Sequence, residues 1–348
     1  FSSRLHGNEQ ATGKMVEGGL QAEAPQIMKN IVDLMEAAGA SKDDVVQVNT
    51  FGNDTSYMAE ARKALEATFP DAAKRPAFHP LISWVRATSS MMAEFSAVTP
   101  GGKGEQFQEI FLSPEKQNIA AGVKLGQFVF AGGLPGADPE TGKIAGPGTE
   151  EQLRRALDNV DLFLKAAGAG REHLCRVNIF MADVREKDDI LNPLWAERFP
   201  DQDNRPPHSY IPAKLPEGHR VSIQVIALLG ATRRSLYVEG VEHGDPMTLA
   251  AQTGNLVFSS RIFGGPKDPL EHTDRMFTTG RELLKQVGGD LPNLQQALFY
   301  MSDPEYRKAV EAKWNEFTNG NKDVRFNYVD TDLSRGHLLP RLQMIAIV

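Results

Sequence analysis

A heptapeptide that returns constrains this chain more than any other feature. Phe1-Ser2-Ser3-Arg4-Leu5-His6-Gly7 comes back as Phe258-Ser259-Ser260-Arg261-Ile262-Phe263-Gly264, and Phe130-Ala131-Gly132-Gly133-Leu134-Pro135-Gly136 lies midway between them. The offset from the first to the second copy also carries Thr12-Gly13-Lys14 onto Thr141-Gly142-Lys143, Gly39 onto Gly168, and Val48-Asn49 onto Val177-Asn178. An offset one residue longer carries Phe69-Pro70 onto Phe199-Pro200 and Arg75-Pro76 onto Arg205-Pro206. The third copy lacks the Thr-Gly-Lys turn but keeps Gly288, Phe317 and Arg325. Repeats of this length are whole supersecondary units, each needing a neighbour to bury its apolar face.

Every copy predicts the same order, β-β-α-β-α-β, with a further strand near Tyr210. Short apolar strands (Gln127 to Ala131; Asn255 to Ser259) precede a turn segment, Asp138-Pro139-Glu140-Thr141-Gly142. In the helix that follows, Leu153, Leu157, Val160 and Leu164 share one face; Thr149 and Gln152 have capping-box spacing, and Gly168 is placed to end it. Central strands are predicted at Val45 to Phe51, Cys175 to Met181 and Ala297 to Met301, and closing strands at Met91 to Val98, Val221 to Leu228 and Leu342 to Val348. A sheet with helices on one face must bury the other. The expectation is therefore an α+β chain of three tandem units, 1–104, 105–232 and 233–348, packed as an intramolecular pseudo-trimer with inter-repeat clefts. The linkers, Thr99 to Glu105 and Gly230 to Arg234, are too short for independent motion. Phe1 reads as mid-strand, so a strand of native sequence is expected ahead of it.

Composition narrows the chemistry. The 348 residues hold 38 Lys plus Arg against 45 Asp plus Glu, a formal charge of −7, which with no basic stripe argues against a nucleic-acid partner. The single cysteine, Cys175, excludes an internal disulfide and a Cys-based zinc site, and fits a cytoplasmic setting. No apolar run is long enough to span a bilayer. The eight histidines lack metal-ligand spacing, and no phosphate loop, dinucleotide fingerprint or nucleophile elbow is present, so neither metal nor cofactor is expected.

The segment Gly122-Val123-Lys124-Leu125-Gly126-Gln127-Phe128-Val129-Phe130-Ala131-Gly132-Gly133-Leu134-Pro135, followed by Asp138-Pro139-Glu140-Thr141-Gly142-Lys143, resembles the Rid/YjgF family of reactive-intermediate deaminases. The closing strand Arg220-Val221-Ser222-Ile223-Gln224-Val225-Ile226-Ala227 resembles that family's last strand. The likeness covers residues 115–230 closely, and 1–98 and 235–348 more loosely. It implies a chorismate-mutase-like fold, sites between units, a fused single-chain trimer, and hydrolysis of imines or enamines. It further implies an arginine after an Arg-Pro-Ala element that grips a carboxylate, and a last-strand glutamate that positions water. Here the arginine's place falls to Ala77 or Phe78, Pro207 or His208, and Asn327 or Tyr328, and the glutamate's to about Met92, Ser222 and Gln343. No repeat keeps the pair.

Other residues can supply the chemistry. Where the second repeat has Gly132-Gly133, the outer repeats carry Ser3-Arg4 and Ser260-Arg261, which would return a guanidinium and a hydroxyl to a cleft. Arg4, Arg261, His79, His208, Tyr328 and Glu94 are the candidate catalytic groups. Glu94 is the only acid on a closing strand, and imidazoles suit acid–base work near neutrality. Ser3, Ser260, Gly133, Ser209, Ser222 and Gln343 are candidate substrate contacts, with His6 a weak addition. The opposing readings are surface ion pairs for the arginines, backbone hydrogen bonds for the histidines, and core packing for Tyr328, Trp84, Trp195 and Trp314. The leading expectation is a cofactor-independent enzyme acting on a small carbonyl, imine-type or anionic metabolite, a divergent hydrolase or deaminase. Open alternatives are ring opening, as in the cyanuric acid hydrolase and barbiturase group, cofactor-free oxygenation, and a non-catalytic ligand-binding protein. An RNase role, sometimes attached to the family, lacks a basic groove. An internal trimer leaves the chain no need for a threefold homotrimer, so light scattering should give the mass of one chain or two. A mass of three chains with threefold symmetry would contradict it.

Overall fold

The computed structural model describes residues 1–2, 4–82, 85, 89–98, 107–113, 120–241, 244–301, 303–318, 320, 326–329 and 339–348. Ser3, Trp84, Arg325 and the linker Thr99 to Glu105 lie outside them. The first repeat contributes α1 (Leu20–Ala37), β1 (Val45–Gly52), α2 (Tyr57–Thr68), β2 (Ala77–Ile82) and β3 (Met91–Ala97). The second contributes β4 (Phe107–Ile110), β5 (Gly122–Leu125), β6 (Phe128–Ala131), β7 (Leu134–Pro135), α3 (Thr149–Ala166), β8 (Leu174–Met181), α4 (Leu191–Arg198), β9 (His208–Pro212) and β10 (Val221–Leu228). The third contributes β11 (Arg233–Leu236), β12 (Ala250–Thr253), β13 (Leu256–Ser259), β14 (Ile262–Phe263), α5 (Pro269–Lys285), β15 (Leu294–Tyr300), α6 (Pro304–Phe317), β16 (Phe326–Val329) and β17 (Arg341–Ile347).

Local sequence explains the elements. Helix α3 buries Leu153, Leu157, Val160 and Leu164 at the expected spacing. Gly39, Gly168 and Gly288, just past α1, α3 and α5, each take a left-handed φ of 71–74°, the conformation that closes a helix most easily with glycine. The expected capping box is absent. Gly148 is the residue ahead of α3 and no side chain caps the helix. Gln152 Nε2 donates instead to the carbonyls of Gly146 and Gly218, and its Oε1 accepts from Arg220 N–H. The Asp138 carboxylate accepts from Glu140 N–H, Thr141 N–H and the Thr141 hydroxyl, which shapes the expected turn.

By compactness the chain forms two units, one of Phe1–Arg171, Ile179–Val184 and Ala213–Leu229, the other of Glu172–Asn178, Arg185–Pro212 and Gly230–Val348. Each therefore holds one outer repeat and part of the middle one. In the first unit β1 lies between β2, which it pairs in parallel, and β3, antiparallel; β4, β5, β6 and β10 follow one another, with β7 on β10. In the second unit the order β11-β12-β13-β17-β15-β16, with β14 on β17, shows a complete repeat.

One register runs through all three repeats. Leu5 bridges Ala93, Leu134 pairs Ile223, and Ile262 pairs Leu342. The residues that follow on the closing strands are Glu94, Gln224 and Gln343, so these three occupy one position. The sequence alignment sets Met92 and Ser222 beside Gln343, two residues out of step with this register. Strand alternation fixes which way they face. Met91, Ala93 and Phe95 of β3 enter the apolar core with α1 and α2, and Leu342, Met344 and Ala346 of β17 enter the core with α5 and α6. Glu94, Gln343 and Arg341 accordingly belong to the faces without helices.

Candidate functional site

In the first unit the helix-free face is sealed by polar pairs between repeats. Gln47 Nε2 donates to the Ala131 carbonyl at 2.8 Å, and Gln224 Nε2 to Asn49 Oδ1 at 2.7 Å. Asn49 Nδ2 in turn donates to Glu94 Oε1 at 3.2 Å, so the one acid of the closing strands is held in a side-chain relay. His79 is enclosed. Its ring sits edge-on to Phe180 with centroids 4.8 Å apart, and Nε2 lies 3.3 Å from the Ser222 hydroxyl. Burial alone pulls its pKa from 6.5 to about 3, so the imidazole is neutral at every physiological pH. Gly133 is where it is for this reason: a Cβ there would lie 2.4 Å from His79 Nε2 and 2.8 Å from Ser222 Oγ.

Arg4 stands at the register position of Gly133. Its guanidinium lies over the Phe51 ring, 4.5 Å from the centroid, and its buried Nε has no hydrogen-bond partner. Nearby His6 Nδ1 meets the Ser89 hydroxyl at 3.0 Å.

The second unit assembles a richer set. Gln343, 1% exposed, accepts at Oε1 from Arg176 Nη2 at 2.6 Å and from the Tyr300 hydroxyl at 2.9 Å, and donates from Nε2 to Ser209 Oγ at 2.8 Å. The Ser260 hydroxyl, fully buried, accepts from His208 N–H at 3.2 Å. Arg261 spreads its guanidinium on Tyr300, 3.9 Å from the ring centroid, with Tyr210 at 5.6 Å. Its Nε and Nη2 are buried and have no hydrogen-bond partner. Buried donors are nearly always paired, so two on one guanidinium that are not stand out.

Charge around Arg261 is lopsided. The Tyr210 hydroxyl donates to Asp245 Oδ2 at 3.2 Å, while Lys187 Nζ lies 2.7 Å from Oδ1 of the same carboxylate. Burial, then Asp245, raises the Tyr210 pKa against the pull of Lys187, Arg261 and Arg341. Burial, with the Arg261 charge adding to it, lowers Arg341 to about 10 even though Tyr210 and Asp245 oppose the shift. Asp245 also borders an open cleft of about 500 Å³ lined in part by Gln202, Arg205, Tyr237 and Met247, a lining that does not include Arg261.

Two expected groups point elsewhere. His208 stacks on Trp195 with centroids 4.1 Å apart, on the side of α4, and it is Ser209 that reaches Gln343. Tyr328 faces α6: its hydroxyl donates to Glu311 Oε1 at 3.3 Å, and Arg307 covers its ring at 4.4 Å. Phe78 and Phe326, in register with His208, pack into their own helix-side cores, so alternation assigns this position to packing in every repeat. Trp195 and Trp314 are core residues. Sequence reasoning missed Asn49, Arg176, Tyr210, Asp245, Lys187, Tyr300 and Arg341. Only register, which puts Gln343 opposite Arg261 and on the same face as Arg341, could have pointed to any of them.

Three sets of strands and helices, with polar residues carried on helix-free sheet faces, define a chain built from repeated α+β units. A family model described as Endoribonuclease L-PSP matches residues 5–84 and 113–229, more than half of the chain, and the chain belongs to this family, Rid/YjgF. A RutC family protein of Aquifex aeolicus (strain VF5) is 33% identical over 107 residues, 30% of this chain and 84% of its own length. The 2-iminobutanoate/2-iminopropanoate deaminase of Homo sapiens is 28% identical over 109 residues, 31% of this chain and 77% of its own. Among solved structures, the YjgF gene product of E. coli is 24% identical, with a TM-score of 0.30 over 35% of this chain and 94% of its own. No helix among the described residues is long and apolar enough to cross a membrane.

His79 makes a prediction about pH. A group whose folded pKa is depressed gives stability that is whole above its unfolded value and is lost as the pH falls below it. Between pH 6.5 and 5 the enclosed imidazole should cost the protein roughly 1.5–2 kcal/mol of unfolding free energy. Denaturant titrations across that window should show the decline in the parent and a flatter profile in His79→Gln. Equal slopes would mean that His79 reaches solvent.

Proposed function

We propose that this chain is a cofactor-independent hydrolase of the imine-deaminase kind, with its working site around Arg261 in the second unit. The family, and relatives named for deamination of 2-imino acids, support the reaction class. The observation that carries the assignment to this site is the pair of buried donors, Arg261 Nε and Nη2, with no acceptor. They present the planar fork that suits a carboxylate, at the position where the middle repeat has Gly133.

The chemistry follows from the groups at hand. Water adds to the C=N carbon of a protonated 2-imino acid, and the adduct collapses to a 2-oxo acid and ammonium. Arg261, braced on Tyr300, holds the carboxylate and so fixes the neighbouring carbon. The Tyr210 hydroxyl and Asp245, hydrogen-bonded to each other, are the groups suited to move a proton between water and the departing nitrogen. Gln343, with both ends of its amide engaged, serves as a brace and not as a base. Arg4 is the equivalent guanidinium of the first repeat and a second candidate for the same task. His79, Ser222 and Gly133 fill the corresponding space in the first unit, which favours a structural part for that interface.

Imines generated by an amino-acid oxidase, with 2-oxo acid release followed directly, provide the test. Arg261→Ala should lower kcat/KM at least tenfold with the melting temperature nearly unchanged, since Arg261 stacks on Tyr300 and is no part of the apolar core cluster of the third repeat. Arg261→Lys should recover only part of it, because an ammonium cannot form the fork. Full activity in Arg261→Ala would refute the assignment.

A further inference from the structure

The surroundings of Arg261 point to more than one negative charge on the ligand. Arg341 opens β17 and pairs across to Phe263 of β14, and the same register sets Gln343 opposite Arg261. Alternation then puts Arg341 and Gln343 on one face, so Arg261 and Arg341 flank Gln343 on the helix-free side. Arg341 is held rather than loose: its guanidinium lies 3.9 Å from the Phe263 ring centroid, and Nη1 donates to the Leu339 carbonyl at 2.7 Å and to the Pro340 carbonyl at 3.3 Å. Those carbonyls orient it without neutralising it.

The only carboxylate that the structure brings to this group among the described residues is Asp245. It already accepts from Lys187, Asn192 and the Tyr210 hydroxyl. Neither Arg261 nor Arg341 has a carboxylate within ion-pair distance among the described residues. Two guanidinium groups that repel each other in a half-buried place, with one acid already shared, form an arrangement that a dianion completes and a monoanion leaves half charged.

We propose that the second unit selects dicarboxylates: Arg261 takes the carboxylate beside the reacting carbon, and Arg341 takes a second carboxylate at the far end of the ligand. This rests on the proposed hydrolysis for the identity of the reacting end, but not for the binding. The implied substrates are 2-imino dicarboxylic acids, and the products 2-oxo dicarboxylic acids. Arg341 is then a specificity-determining residue that leaves the chemistry to others.

Stable 2-oxo acids test this by calorimetry without any turnover. The intact protein should bind 2-oxoglutarate at least tenfold more tightly than 2-oxobutanoate. Arg341→Gln should bring the two within threefold of each other while leaving 2-oxobutanoate unchanged, and Arg341→Lys should keep part of the preference. Arg261→Gln should weaken both. Equal affinities in the parent, a preference that survives Arg341→Gln, or binding of neither acid would overturn the proposal. Dicarboxylate preference without imine turnover would sink the hydrolase reading alone. Turnover of a monocarboxylic imine with no such preference would sink this inference alone.

Discussion

A β-sheet with helices on one side has to bury its other side, and in this chain the residues on that other side are polar. Gln47, Asn49, Gln224, Arg176, Ser209 and Gln343 cannot be left dry and unpaired, because an orphaned buried amide or guanidinium costs on the order of 1–3 kcal/mol. Each finds its partner on a neighbouring repeat or strand. The contacts that join repeats are consequently directional as well as apolar, and they hold the register of the strands that carry them. A slip of one residue would turn Gln343 into the core of α5 and α6 and leave Arg176 without its acceptor.

Against that background, unmet hydrogen-bonding capacity becomes informative. Most buried polar groups on these faces are matched, while among the described residues His79 Nδ1 and Arg4 Nε are not, and Arg261 keeps two donors that are not. The middle repeat has glycine at the same position, and the space is taken by His79 and Ser222. Copies of one unit within one chain are free to diverge in this way, since a change in one repeat is not imposed on the others. One interface can close into a packed, neutral contact while another keeps guanidinium donors without a partner.

Much of the architecture was legible from the sequence. The 3.6-residue phase of α3, Gly168 at its end and the apolar closing strands are local patterns, and all appear where they were expected. What failed was the side on which single strand residues fall. His208 and Ser209 differ by one position, and nothing in the composition of β9 says which of them meets α4; the structure gives that place to His208. The capping box at Thr149 failed because Gln152 found carbonyl partners near Gly146 and Gly218, a long-range competition that spacing does not reveal. Arg176 and Gln343 stand 167 residues apart, and Tyr210 and Asp245 belong to different repeats, so no motif could have joined them.

The central claim is that Arg261 is an anion-binding group whose acceptor comes from outside the protein. A crystal structure of the chain soaked with a 2-oxo acid examines it directly. The account predicts a carboxylate within hydrogen-bonding distance of both Nε and Nη2 of Arg261, over the edge of the Tyr300 ring. A ligand carboxylate found elsewhere, with the Arg261 guanidinium turned to an acidic side chain of the protein, would contradict it.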